Sequence, residues 1–69
     1  MDGMKIELNG DARELDCDIT IQALLDLEGL AGRRVAVELN GTIIPRGQHA
    51  VHALQEGDRV EIVHALGGG

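Results

Sequence analysis

Residues 4–29 read MKIELNGDARELDCDITIQALLDLEG, and this stretch decides the fold. From Met4 to Leu8 apolar and polar residues alternate, the period-two pattern of a half-buried strand. Asn9-Gly10-Asp11 supplies turn residues that tolerate positive φ. A second strand runs through Arg13 to Cys17, with Leu15 and Cys17 facing inward and Glu14 and Asp16 facing water, so the opening reads as a β-hairpin. The period then changes. Thr20 can accept a bond from an early helical N–H, and Ile19 before it can staple onto Leu24. Ile21, Leu24 and Leu25 form one stripe at i, i+3 and i+4. Gly29 sits where a left-handed C-terminal cap is needed, which predicts a helix from Ile21 to Glu28 with Leu27 and Leu30 closing over its end.

Beyond the helix, Arg33 to Leu39 alternates again, Val35, Val37 and Leu39 on one face and Arg34, Ala36 and Glu38 on the other. Asn40-Gly41 is a strong hairpin dipeptide, and Thr42-Ile43-Ile44 pairs briefly before Pro45 removes a donor. Gly47 to Leu54 reads as irregular or as a single helical turn. Gly57-Asp58 turns the chain into a last strand, Arg59 to His64, with Val60, Ile62 and His64 inward by alternation. Glu-Leu-Asn-Gly occurs twice, at residues 7–10 and 38–41, as a reused turn motif. The order β-β-α-β-β-β, with one amphipathic helix, predicts an α+β β-grasp: a four- to five-stranded mixed sheet covered by one helix. The N-terminal hairpin and the last strand are expected to lie together at its centre, with two strands parallel.

Sixty-nine residues hold one small domain, which must use nearly all its apolar side chains for folding. Residues 1–65 are assigned to the domain and residues 66–69 to a flexible C-terminal glycine tail. Six Lys and Arg against twelve Asp and Glu give a net charge of -6, and there is no aromatic residue. The charge repels nucleic acid, and no ring is available to stack on bases. A single cysteine excludes an internal disulfide. The start carries no secretory or transit signal, and no apolar run approaches a membrane span. The expected location is cytoplasmic.

Few residues could carry chemistry. His49 and His52 have metal-ligand spacing, but the sequence offers no clear third ligand, so they read as a surface pair and no metal site is assigned. His64 reads as a satisfied or strand-end histidine, and Cys17 as a small core residue. Leu66-Gly67-Gly68-Gly69 follows a core strand directly. Without Cβ atoms such a tail can thread a narrow channel and present its own α-carboxylate to an enzyme, whereas a frayed terminus would have the same composition. Ala36 and Val63 face outward among Arg34, Glu38, Arg59 and Glu61. An apolar centre with a charged rim is the anatomy of a protein interface, and a solvated face with two scattered apolar residues would read the same way.

Residues 56–69, Glu-Gly-Asp-Arg-Val-Glu-Ile-Val-His-Ala-Leu-Gly-Gly-Gly, together with Asn40-Gly41-Thr42-Ile43-Ile44-Pro45-Arg46 and Thr20-Ile21-Gln22-Ala23-Leu24-Leu25, resemble the ThiS family of sulfur carrier proteins of thiamine biosynthesis. The resemblance covers nearly the whole chain and implies the ubiquitin-like β-grasp. It also implies a protein co-substrate with no catalytic residues and no bound cofactor. An E1-like, ThiF-like adenylyltransferase would use ATP to adenylate the carboxylate of Gly69. Sulfur drawn from a cysteine desulfurase would convert it to a thiocarboxylate, and a ThiG-like thiazole synthase would consume that group. Leu66, Gly67 and Gly68 would occupy the partner's channel. The chain departs from the family in ending on three glycines and in lacking aromatic residues near Pro45-Arg46 and the tail, where His49 and Leu66 stand. A molybdopterin synthase small subunit, a β-grasp binding module with an inert tail, and a small hydrolase using Cys17 with a histidine are the alternatives.

Overall fold

The computed structural model describes residues 3–64. Five strands and one helix follow in the order β1 (Gly3–Leu8), β2 (Asp11–Asp16), α1 (Ile21–Leu27), β3 (Val35–Leu39), β4 (Thr42–Ile44) and β5 (Arg59–His64), with a short 3-10 turn at Arg46–Gln48. They form one five-stranded sheet in the order β2-β1-β5-β3-β4. β5 runs parallel to β1 and antiparallel to β3, while the two hairpins β1-β2 and β3-β4 are antiparallel. The expected mixed sheet is therefore present. The N-terminal hairpin is not wholly central, because β1 lies beside β5 while β2 takes an edge.

The repeated Glu-Leu-Asn-Gly motif explains how the middle strand is held. Asn9 and Gly10 have φ of 49° and 90°, and Asn40 and Gly41 have 50° and 88°. Positive φ at both central residues is the pattern of a type I′ turn, whose twist matches that of the strands it joins. Each asparagine also reaches β5. The Asn9 Oδ1 accepts from the Ile62 N–H at 2.8 Å and its Nδ2 donates to the Ile62 carbonyl at 3.4 Å. The Asn40 Oδ1 accepts from the Arg59 N–H at 2.8 Å, and its Nδ2 donates to Asp58 Oδ1 at 3.0 Å. The β1-β5 ladder pairs only Glu7 with Arg59 and Leu8 with Val60, and the Asn9 side chain continues it past the end of β1.

The helix is capped at both ends. The Thr20 hydroxyl accepts from the Ala23 N–H at 3.1 Å, while the N–H groups of Ile21 and Gln22 donate to the carbonyls of His52 and His49 at 3.0 and 2.9 Å. Glu28 is the C-cap, and Gly29 follows with φ 74°. The N–H of Gly29 donates to the Asp26 carbonyl and that of Leu30 to the Leu25 carbonyl, a Schellman motif. Ile21, Leu24 and Leu25 are buried against Met4, Ile6, Leu8, Leu15, Val37, Leu39, Leu54, Val60 and Ile62. Leu30 packs on this core, but Leu27 is 65% exposed. At 3.6 residues per turn it points about 110° away from the buried stripe. Glu28 lies closer to that stripe and pairs with Arg13 across the hairpin, which raises the Arg13 pKa through the hydrogen bond and the opposite charge.

Cys17 is exposed, contrary to the expected core position. β2 ends at Asp16, and Asp18 takes φ 62°, so strand alternation no longer applies at residue 17. Likewise β3 begins at Val35 rather than Arg33. His49 is not on the surface. It is 3% exposed, with its Nε2 at 3.0 Å from the Ile44 carbonyl.

Candidate docking face and C-terminal tail

Side chains alternate across a sheet, so strand register assigns each residue to a face. Val37 lies opposite Ile62 and Leu39 opposite Val60, and all four are buried on the helix side. The intervening pairs, Ala36 with Val63 and Glu38 with Glu61, therefore share the opposite face. Arg59 opens β5 on that face beside Glu7 of β1, and Arg34 is exposed just before β3. The six residues singled out from the sequence thus gather on or beside one side of the sheet. Val63 is 57% exposed at the centre, with Ala36 half-buried beside it.

Ile43 joins them, and sequence reasoning left it without a face. It pairs with Glu38 and is 60% exposed. The signal was available: a two-residue turn at Asn40-Gly41 pairs Leu39 with Thr42, which puts Ile43 opposite Glu38 and on its side of the sheet. Ile43 and Val63, with Ala36 between them on β3, make an apolar strip flanked by Glu38 and Glu61. Like charges directly opposite one another weaken a sheet. Among the described residues Arg13 and Glu28 form the only ion pair, so neither glutamate is neutralised in this way. An apolar strip beside uncompensated carboxylates is suited to a partner surface that is apolar at its centre and basic beside it.

His64, expected inward, is exposed at the end of β5 opposite Val35. No group of three His, Cys, Asp or Glu among the described residues is placed to hold a metal ion. No helix of the described residues is long and apolar enough to cross a membrane. Leu66, Gly67, Gly68 and Gly69 lie outside the described residues. In the sequence they follow β5, the strand that carries Val63, by way of Ala65.

The family model for the ThiS family matches residues 6–69, from the first strand to the last glycine. The chain belongs to the ThiS family. The sulfur carrier protein ThiS of Escherichia coli is 30% identical over 66 residues, covering 96% of this chain and 100% of that protein. A solved structure of the thiamine biosynthesis protein ThiS from Geobacter metallireducens superimposes with a TM-score of 0.82 at 30% identity, over 96% of this chain and 100% of that one. A thiazole synthase of Paramagnetospirillum magneticum is 42% identical over 66 residues, which cover 96% of this chain but only 20% of that protein. A second thiazole synthase, from Magnetococcus marinus, has the same extent, so the chain spans about a fifth of the length of these two relatives. As a ThiS family member the chain is built on the ubiquitin-like β-grasp.

Proposed function

We propose that the α-carboxylate of Gly69 is the group that carries sulfur. The observation that supports this most directly is the extent of the family match, which runs through the terminal glycines to residue 69 itself. A carboxylate is a poor electrophile, ionised at pH 7 with a pKa of about 3.3 to 3.7. An E1-like, ThiF-like enzyme joins it to AMP from ATP with release of pyrophosphate, which supplies a leaving group. A persulfide sulfur, loaded by a cysteine desulfurase, attacks the carbonyl carbon. The new C–S bond forms as the C–O bond to AMP breaks. A thiol then reduces the S–S bond of the resulting acyl disulfide, becoming a disulfide itself and leaving the thiocarboxylate.

The consumer of that thiocarboxylate is a ThiG-like thiazole synthase. Support comes from the two thiazole synthases in which a segment similar to this whole chain makes up 20% of a longer protein. Carrier and synthase in one polypeptide is the arrangement expected of partners that hand a group directly between them. On the carrier, the strip of Ala36, Ile43 and Val63 with Glu38 and Glu61 docks the activating enzyme while the glycines enter its channel, where the lack of Cβ atoms permits close passage.

The test is the intact mass of the protein after incubation with ATP, its activating enzyme and a sulfur source. Replacement of one oxygen by sulfur, absent when the C-terminus is amidated, is the expected result. An unchanged mass with active enzyme present refutes the reading.

A further inference from the structure

Of the six basic residues in a chain with net charge -6, three are Arg33, Arg34 and Arg46. Two of these, Arg33 and Arg46, line a cleft of about 290 Å3 between α1, the approach to β3 and the 3-10 turn. Its apolar wall is Leu25, Leu30 and Val35. The buried His49 also faces it. Because the Nε2 of His49 lies 3.0 Å from a carbonyl, which can only accept, Nε2 carries the hydrogen. One Nη of Arg46 donates to the Arg33 carbonyl at 3.4 Å, which ties the two arginine segments together. Neither guanidinium is in an ion pair among the described residues, where Arg13 alone is so engaged.

Two exposed positive charges on one cleft, neither in an ion pair among the described residues, suit an anion from outside the chain. Planar guanidinium groups match the geometry of a carboxylate and can grip it in a bidentate manner. Size narrows the choice: pockets for drug-sized or cofactor ligands run from about 300 to 1,000 Å3, so this cleft admits a side chain more readily than a nucleotide. Position narrows it further. Val35, in the cleft wall, is the cross-strand partner of His64, the last residue of β5. The cleft therefore stands at the base of the tail, and five residues of extended chain carry the Gly69 carboxyl at most about 18 Å beyond it.

We propose that this cleft is a carboxylate-binding site, filled on docking by an Asp or Glu side chain of the enzyme that activates Gly69. The assignment of the partner rests on the function proposed above. A charge-assisted contact at this point fixes the direction in which the tail leaves the sheet, at a place separate from the apolar strip on the opposite face.

Two measurements test the site independently. Arg33→Gln and Arg46→Gln, singly and together, are assayed by ATP-pyrophosphate exchange with the activating enzyme. Removing a charged contact that steers and anchors docking is expected to raise KM for the carrier about five- to tenfold in each single variant and to flatten its dependence on salt. In the second measurement sodium acetate is titrated into the isolated protein, and the arginine Nε–H and His49 ring resonances are followed by NMR against sodium chloride at equal ionic strength. Saturable shifts confined to Arg33, Arg46 and His49, lost in the double variant, support the site. Acetate shifts no larger than those from chloride overturn it. Acetate binding with an unchanged KM in the double variant overturns the assignment to a partner carboxylate. Should the wild-type protein not be adenylated at all, the carrier reading fails, and the acetate titration still decides whether the cleft binds a carboxylate.

Discussion

Replacing Asn9 by Ala isolates the device that holds β5 in the sheet. The substitution removes the Oδ1 that accepts from the Ile62 N–H at 2.8 Å, leaving a half-buried donor on the middle strand without that partner. Loss of one such bond costs about 0.5 to 1.5 kcal/mol, and more where the orphaned group is shielded from water. The backbone adds a second cost. Residue 9 sits at φ 49°, a conformation that asparagine tolerates and alanine adopts at a cost of about 1 to 2 kcal/mol. Together these give a destabilisation of about 1.5 to 3.5 kcal/mol. For a domain of this length each kcal/mol shifts Tm by about 4 to 8 °C, so Tm should fall by at least about 6 °C. Companion variants separate the two causes. Asn9→Gly relieves the backbone and loses only the two side-chain bonds to Ile62, so it should cost about 1 kcal/mol less than Asn9→Ala, while Asn9→Asp keeps the acceptor for the Ile62 N–H but loses the Nδ2 donor to the Ile62 carbonyl, so it should fall between Asn9 and Asn9→Ala. Urea unfolding of the three variants reads the order directly. A loss below about 0.5 kcal/mol in Asn9→Ala would refute the view that the repeated asparagine clasps β5.

Two further substitutions probe the core and the outer face. Leu24 has no exposed surface, and Leu24→Ala should cost about 2 to 5 kcal/mol in the same unfolding experiment, a loss under about 0.5 kcal/mol showing that α1 does not cover the sheet as described. Val63→Asp and Ile43→Asp replace side chains that are 57% and 60% exposed, so both proteins should fold with Tm close to wild type. Each should nevertheless raise KM for the carrier at the activating enzyme by at least about tenfold, because an unpaired charge then sits in the centre of the contact. An unchanged KM in both rejects this face as the docking surface.

The parts of the fold that were legible in the sequence are those fixed by neighbouring residues. Thr20, the Ile21, Leu24, Leu25 stripe and Gly29 contain a complete local specification of α1, and the two Asn-Gly pairs specify their hairpins without reference to the rest of the chain. Residues 46–54 were legible only as irregular chain with a single helical turn, which the 3-10 turn at Arg46–Gln48 bears out, because distant groups settle how the segment packs. The carbonyls of His49 and His52 serve the first N–H groups of α1, and the Leu54 N–H donates to the Ile19 carbonyl, so this segment is the far half of a helix cap. His49 is buried as a consequence of that role, which no local pattern announces. Errors of the opposite kind arose where alternation was extended too far. It runs on through Cys17 and His64 in the sequence, but β2 has ended before the first, and the second stands at the end of β5 and is exposed.

The proposed docking face was readable to the extent that alternation and register are. Ala36, Glu38, Arg59, Glu61 and Val63 follow from period two alone. Adding Ile43 requires the turn geometry, since only the pairing of Leu39 with Thr42 carries the face of β3 across to β4. The grouping of Arg33 with Arg46 and His49 was out of reach, because it depends on how residues 46–54 fold back against α1.

The central claim is that the terminal carboxyl group of Gly69 reacts, and the most direct measurement is ATP-pyrophosphate exchange with the chain extended by one alanine. In-line attack requires reacting atoms within about 3 to 3.5 Å of each other. One added residue moves the carboxylate by up to about 3.6 Å and brings a Cβ into a channel suited to glycine. The fold and the docking face are untouched by the extension, so the modified protein should still compete with wild type for the enzyme while supporting no exchange of its own. Exchange by the extended protein at the wild-type rate would contradict the account.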